Sequence, residues 1–248
     1  MIILKSEDEI KRIADACRIV AEALESVKKI VAPGITTIEL NRFVESFIVS
    51  KKATPAFKGY KGYPASLCTS INEQVIHGIP SFSKLKEGDI ISLDVGVFYK
   101  GFYGDAATTL PVGKTVDRAV KLLSVTEGAL YRGIENAVVG NRLFDISFAI
   151  QSHVEAEGFS VVRNFVGHGI GRELHEEPQI PNFGRPGEGL ELMEGMTLAI
   201  EPMVNAGGWE VDVLSDGWTA VTKDRSLSAH FEHTVALTSG GPKTLTKL

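Results

Sequence analysis

The chain has 248 residues, 44% of them apolar and 23% charged, a globular composition that excludes disorder and allows one large domain or two small ones. With 26 basic against 31 acidic side chains the formal charge is −5, a poor match for a phosphate backbone, so no specific nucleic-acid partner is expected. No apolar run approaches the roughly 18 residues of a membrane span, and charge enters at Lys5, too early for a signal-peptide core. Two cysteines, Cys17 and Cys68, lack C-x-x-C spacing and suit a reducing compartment, so a cytoplasmic protein is expected.

From Ser6 onward, Ile10, Ile13, Cys17, Val20, Leu24 and Val27 recur at alternating spacings of 3 and 4, the stripe of a long helix that Pro33 and Gly34 close. A second helix buries Leu40, Phe43, Val44, Phe47 and Ile48. The same five positions return 106 residues later as Ile146, Ala149, Ile150, His153 and Val154, and Gly34 returns as Gly140. A Glu87-Gly88 turn leads into an apolar strand ending in Asp94; a Glu194-Gly195 turn leads into one ending in Glu201, each 107 residues on. A His-Gly-Ile precedes each strand, at His77 and at His168, with extra residues in the second half that include His175. Helix stripe, glycine stop, His-Gly-Ile and strand-carboxylate in one order predict a duplicated chain. Two α/β halves, about 1–112 and 113–248, are expected to form a single catalytic domain over 1–248 with an approximate two-fold between them.

Duplication would set Asp94 and Glu201 face to face near that axis. Like charges so placed raise each other's pKa and cost stability unless a cation lies between them. Asp105 follows Asp94 by 11 residues, a spacing that suits an antiparallel hairpin with both carboxylates on one face, and Glu232 sits in a β-prone run. A single strand-end Asp is most often a turn or cap residue; four carboxylates converging with His168 are not explained that way. Their four negative charges match two divalent ions, and an oxygen-rich set with one imidazole favours Mn2+, Fe2+ or Co2+ over a thiolate zinc site. Hydrolysis by a metal-activated water is the natural reaction class. His230 and His233 flank Glu232 and read as support for the site, His153 as packing, Cys17 as core.

These residues carry a family likeness. Asn72-Glu73, His77-Gly78-Ile79-Pro80, Asp94-Val95-Gly96, Gly104-Asp105, Val166-Gly167-His168-Gly169-Ile170-Gly171, His175-Glu176-Glu177-Pro178, Glu201-Pro202-Met203 and His230-Phe231-Glu232-His233-Thr234 stand in order along the whole chain. The chain resembles type I methionine aminopeptidases. The resemblance implies the α+β pita-bread fold, two pseudo-two-fold-related halves around a central, mainly antiparallel sheet, and removal of the initiator Met from nascent proteins with a small second residue. It makes Asp94, Asp105, His168, Glu201 and Glu232 the metal ligands, Asp105 and Glu232 bridging, and His77 and His175 the catalytic imidazoles. The roles agree with the chemistry: a metal-bridging hydroxide attacks the carbonyl after Met, Glu201 shuttles its proton to the leaving amine, His175 donates to the developing oxyanion and His77 holds the scissile amide. The free α-amine would bind the metal held by Asp94.

The implied side-chain pocket comprises Phe57, Tyr60, Tyr63, Cys68, Leu174 and Trp218, apolar surfaces suited to a thioether, although Tyr60 and Tyr63 could equally anchor their own loop. The family's monovalent-cation site falls near Asn72 and Ser228. The first helix begins within a dozen residues of the start, and only 31 residues separate Glu201 from Glu232, so the compact bacterial form is expected, as a monomer in transient contact with the ribosome. Two rivals share the fold: an X-Pro aminopeptidase, which usually carries an additional N-terminal domain, and a non-catalytic binding module, which would be expected to lose ligands.

Overall fold

A computed structural model describes residues 2–248. Helix α1 (Glu7–Lys28) starts at a capping box: Ser6 Oγ accepts from the Glu9 N–H, and the Glu9 carboxylate accepts from the Ser6 N–H. Helix α2 (Thr37–Ser50) repeats the device with Thr36 and Glu39. The expected stripe of α1 is buried from Ile13 to Val27, and Leu40, Val44 and Ile48 of α2 are inaccessible, with Phe43 and Phe47 packed at the margin. The strands of this half are β1 (Thr54–Pro55), β2 (Cys68–Ile71), β3 (Gln74–Ile76), β4 (Ile90–Tyr99) and β5 (Phe102–Pro111). The second half supplies α3 (Asp117–Asn136) and α4 (Leu143–Ala156), then β6 (Ser160–Val161), β7 (Val166–Gly169), β8 (Glu176–Pro181), β9 (Thr197–Ile200) and β10 (Met203–Asn205). It continues with β11 (Val211–Val213), β12 (Ala220–Thr222), β13 (Ser228–His230), β14 (His233–Thr238) and β15 (Gly241–Thr244).

Element by element the halves repeat. The Gly34 N–H donates to the Leu85 carbonyl at 2.8 Å and the Gly140 N–H to that of Leu192 at 2.9 Å; Leu85 and Leu192 return the bond to Ile35 and Asn141. Both glycines have φ near +94°, a conformation that a Cβ would strain. Each half has its own core, one formed by α1 and α2 under β4 and β5, the other by α3 and α4 under β9 and β14.

The expected central sheet is two antiparallel sheets joined at one point. In the first, β4 pairs with β1, β2 and β5; the second runs β15-β14-β9-β7-β8. They meet where Ala107 of β5 and Glu232, just before β14, exchange N–H···O bonds of 3.4 and 2.9 Å. In register these two residues correspond, since Ala107 stands opposite Asp94 and Glu232 precedes His233, which stands opposite Ile200. The pseudo-two-fold axis therefore passes between them.

Register also corrects one expected correspondence. His168 pairs with Ala199 on β9, and the matching residue of the first half, Ser92, pairs with Ser70. The counterpart of His168 is thus Ser70 and not His77, which follows β3, a strand paired with β12.

Among the described residues no helix is long and apolar enough to cross a membrane.

Candidate metal centre and cavity

Strands β4 and β5 turn through Lys100 and Gly101, both with positive φ, in a two-residue hairpin that holds Tyr99 opposite Phe102. In that register Asp105 faces Gly96 and Ala107 faces Asp94, so both Asp side chains lie on one face, diagonal to each other. The opposite face of β5 meets α1 so closely that a Cβ on Gly104 would lie 2.7 Å from the Cys17 backbone nitrogen. Glycine there lets the helix seat on the strand, and the next residue, Asp105, turns inward.

Ligand atoms of Asp105, His168 and Glu232 lie within 4.8 Å of one another. Glu201 lies between two imidazoles, its Oε1 3.6 Å from His168 Nε2 and its Oε2 3.7 Å from His230 Nε2. The His168 Nδ1–H donates to the Gly169 carbonyl at 2.8 Å, which leaves the Nε2 lone pair directed at the cluster. Asp94 Oδ1, Asp105 Oδ1 and Glu232 Oε1 are buried without a hydrogen-bond partner. Buried carboxylate oxygens left unpaired are costly, and three beside a free imidazole nitrogen form a donor set that a divalent cation satisfies. The residues fit a divalent cation.

Burial holds all four acids above their ordinary range, and neighbouring carboxylates add to it at Asp94, Asp105 and Glu232. Asp94 rises to about 6 although His230 opposes the shift, and Glu201 rises to about 7 against the pull of His168. Asp105 and Glu232 are pushed well above the usual carboxylate values.

The cluster floors a cavity of about 220 Å3. Phe57, Tyr60, Tyr63, Cys68, Leu174 and Trp218 all line it, as do His77 and His175. Cys68 stands opposite Asp94 in the β2–β4 ladder, so its side chain is carried to the same face as the carboxylate. The Phe57 ring covers Gly96, where a Cβ would be 2.5 Å from it. Tyr63 does what both readings ask: its hydroxyl donates to the Gly78 carbonyl at 3.0 Å, anchoring the chain after His77, while its ring meets Trp218 edge-on. Tyr60 stacks on His175 and contacts its Nδ1 through the hydroxyl at 2.8 Å. Burial lowers the His77 pKa to about 4. Partial loss of water around the ring, then the His168 ring 4.2 Å away, also lowers that of His175, although the residue stands exposed at the cavity mouth. Both are neutral at neutral pH.

Two features escaped the sequence reading, and a third divides an expectation made of His230 and His233 together. Lys61 lines the cavity from the loop after Tyr60. Lys5 and Glu176 form a buried ion pair beside His175, across 171 residues of chain. His230 enters the cluster, whereas His233 turns away to Thr246 at 2.8 Å; alternation along a strand hinted that only one of them could face inward. Asn72 and Ser228 do meet, the Ser228 N–H donating to the Asn72 carbonyl, and the Asn72 side chain bonds Asp89 and the Ile90 N–H.

The sequence profile of metallopeptidase family M24 matches residues 11–239. A methionine aminopeptidase of Clostridium perfringens is 58% identical over 246 residues, 99% of each chain. Methionine aminopeptidase 1 of Bacillus subtilis is 52% identical over the whole of both. Among solved structures, methionine aminopeptidase of Thermotoga maritima superposes with a TM-score of 0.98 at 51% identity, each chain fully covered. A prolidase of Pyrococcus horikoshii shares the fold with a TM-score of 0.81 at 24% identity, 99% of this chain covering 63% of that one.

Proposed function

The chain belongs to metallopeptidase family M24, and we propose on that premise that it removes the N-terminal methionine of polypeptides as a metal-dependent aminopeptidase, preferring a small second residue. The observation that carries this reading is the join of two features in one cavity: unpartnered carboxylate oxygens on its floor and an aromatic, sulfur-containing wall above them. Asp94, Asp105, His168, Glu201 and Glu232 would hold two divalent ions, Mn2+, Fe2+ or Co2+. Bound there, the ions supply Lewis acidity for water and for the scissile carbonyl. Glu201 takes a proton from the attacking water and passes it to the leaving amine; a carboxyl whose burial raises its pKa is suited to both transfers.

His175 donates from Nε2 to the carbonyl oxygen as charge develops. The Tyr60 hydroxyl, with a pKa raised by burial and by Glu173, stays protonated and donates to His175 Nδ1, which keeps the hydrogen on Nε2. Neutral His77 holds the amide, and the methionine side chain fills the space between Phe57, Cys68 and Trp218. A free α-amine directed toward Asp94 accounts for the restriction to chain ends. The reading includes one catalytic domain made of both halves, a monomer in the cytoplasm, transient ribosome contact and a monovalent-cation site near Asn72 and Ser228.

The test is release of Met from Met-Ala-Ser, with Ala-Pro substrates as the alternative, by chelated protein and by protein reloaded with each metal. Activity on Met-Ala-Ser that disappears with chelation and returns with metal supports the reading; full activity without metal, or cleavage of Ala-Pro alone, refutes it. His168→Ala should lose metal, whereas His77→Ala and His175→Ala should keep it and lose kcat.

A further inference from the structure

The pseudo-two-fold axis between Ala107 and Glu232 has matched clamps on either side. Thr109 Oγ1 accepts from the His230 N–H at 2.9 Å and donates to the His230 carbonyl at 2.8 Å. Thr234 Oγ1 accepts from the Asp105 N–H at 3.2 Å and donates to the Asp105 carbonyl at 2.8 Å. Residues 105, 107 and 109 thus answer to 230, 232 and 234, an offset of 125 throughout. His230 occupies, in the second half, the place that the proposed ligand Asp105 occupies in the first.

Its side chain is only 2% exposed, and its Nε2 is buried with no hydrogen-bond partner. The atom it approaches is Glu201 Oε2, at 3.7 Å. The other oxygen, Oε1, faces His168 Nε2, which has no hydrogen to give because its own proton is committed to Gly169 from Nδ1. The two oxygens of Glu201 therefore meet different partners, a metal-directed lone pair on one side and an unused imidazole nitrogen on the other. A movement of about 0.8 Å would bring Oε2 to hydrogen-bond length.

We propose that His230 is a positioning residue for Glu201, its Nε2–H donating to Oε2 and fixing which way the carboxylate presents itself for proton transfer. The inference rests on Glu201 being the proton carrier in the reading above. It differs from a role as ligand, which the cobalt bound by the variants below separates from it. An unpaired buried nitrogen would otherwise be a pure cost.

Three substitutions test it on the cobalt-loaded, full-length protein: His230→Gln, whose amide can donate from nearly the same place, His230→Ala, and His230→Met, which fills the volume without an N–H. Thermal melting, cobalt bound per chain, the visible cobalt spectrum, and kcat and KM on Met-Ala-Ser are the readouts. His230→Ala and His230→Met should lower kcat about tenfold or more, as expected for disturbing a group in proton transfer, with KM and bound cobalt near wild type and an altered spectrum. His230→Gln should recover kcat to within about threefold, one buried hydrogen bond being retained. The Met variant decides the matter if the Ala variant melts early. Unchanged kcat in His230→Met, a Gln variant as slow as Met, or cobalt loss matching His168→Ala overturns the proposal, the last by making His230 a ligand. A wild type that leaves Met-Ala-Ser uncut sinks the functional reading instead; the cobalt spectrum, altered by Met and preserved by Gln, then decides the inference by itself.

Discussion

At His168 the Gly169 carbonyl takes the Nδ1 proton, so Nε2 presents a lone pair; at His175 a Tyr60 hydroxyl that donates to Nδ1 would leave the hydrogen on Nε2. In the proposed mechanism two imidazoles 4.2 Å apart thereby take opposite tasks, one holding a cation and one donating. His77, with φ +60° and its ring edge-on to Phe165 and Trp218, is held by shape alone, and burial keeps it neutral. Tyr60→Phe removes the Nδ1 partner and keeps the stacked ring. The expected outcome is a fall in kcat of about two- to tenfold, the worth of one hydrogen bond, with metal content and KM unchanged. Steady-state kinetics on Met-Ala-Ser beside metal analysis checks it, and an unaltered kcat would mean that the tyrosine merely lines the cavity.

The loop from Gly171 to Glu176 carries both Leu174 and His175, and its shape is held from outside. The Glu176 carboxylate accepts from the N–H groups of Arg172 and Glu173 and pairs with Lys5, whose ammonium also donates to the Ile3 carbonyl. Both side chains of that pair are nearly inaccessible, at 3% and 4%. Arg172 reaches Glu9 in the first turn of α1, an exposed pair of little energetic weight. The segment before α1 therefore backs the loop that carries Leu174 and His175, tied by the Lys5 N–H to the Gly195 carbonyl as well. Lys5→Met would leave a carboxylate buried without its counter-charge, a loss of about 3–5 kcal/mol. Urea unfolding should show it as a lower midpoint at constant slope, and kcat should fall as His175 loses its seat. A loss below about 1 kcal/mol would place this pair with ordinary surface bridges.

Between the halves, four acids share one enclosed volume. A carboxyl whose folded pKa lies above its unfolded value contributes stability that is present below the unfolded pKa and lost as pH rises through the folded one. Asp94 goes from 3.8 to about 6 and Glu201 from 4.5 to about 7, so chelated protein should weaken across the mildly acidic to neutral window. Its melting temperature should drop by roughly 5 °C or more between about pH 5 and pH 8, since each kcal/mol moves a chain of this size by a few degrees. Bound cations favour the ionised acids, so saturating Mn2+ or Co2+ should cancel that slope and add stability that grows with free metal. Asp94→Asn in chelated protein should raise the melting temperature near pH 8 by relieving repulsion; a decrease there, or a flat pH profile without metal, would show that crowding does not govern the join.

The helix stripes, the hairpin between Asp94 and Asp105 and the repeat of Asp94 as Glu201 were legible in the chain because each is a local pattern whose period or spacing survives without a partner. The candidate ligands and cavity residues were legible for a different reason, their motifs standing in family order along the chain. Tertiary structure decided the rest. The offset between halves is 107 at Asp94 and Glu201 but 125 at Asp105 and His230, because β10 to β13 lie between Glu201 and Glu232 whereas only a tight hairpin follows Asp94. Linear comparison loses register across such an insertion, which is why His77 was matched to His168 and why the equivalence of Asp105 and His230 did not appear. Ladder register and the two threonine clamps restore it, because hydrogen bonds between halves depend on position in space and not on distance along the chain. The Lys5–Glu176 pair was hidden for the same reason: neither residue carries a local signal, and only the packing of the N-terminal segment against the His175 loop takes both charges out of water.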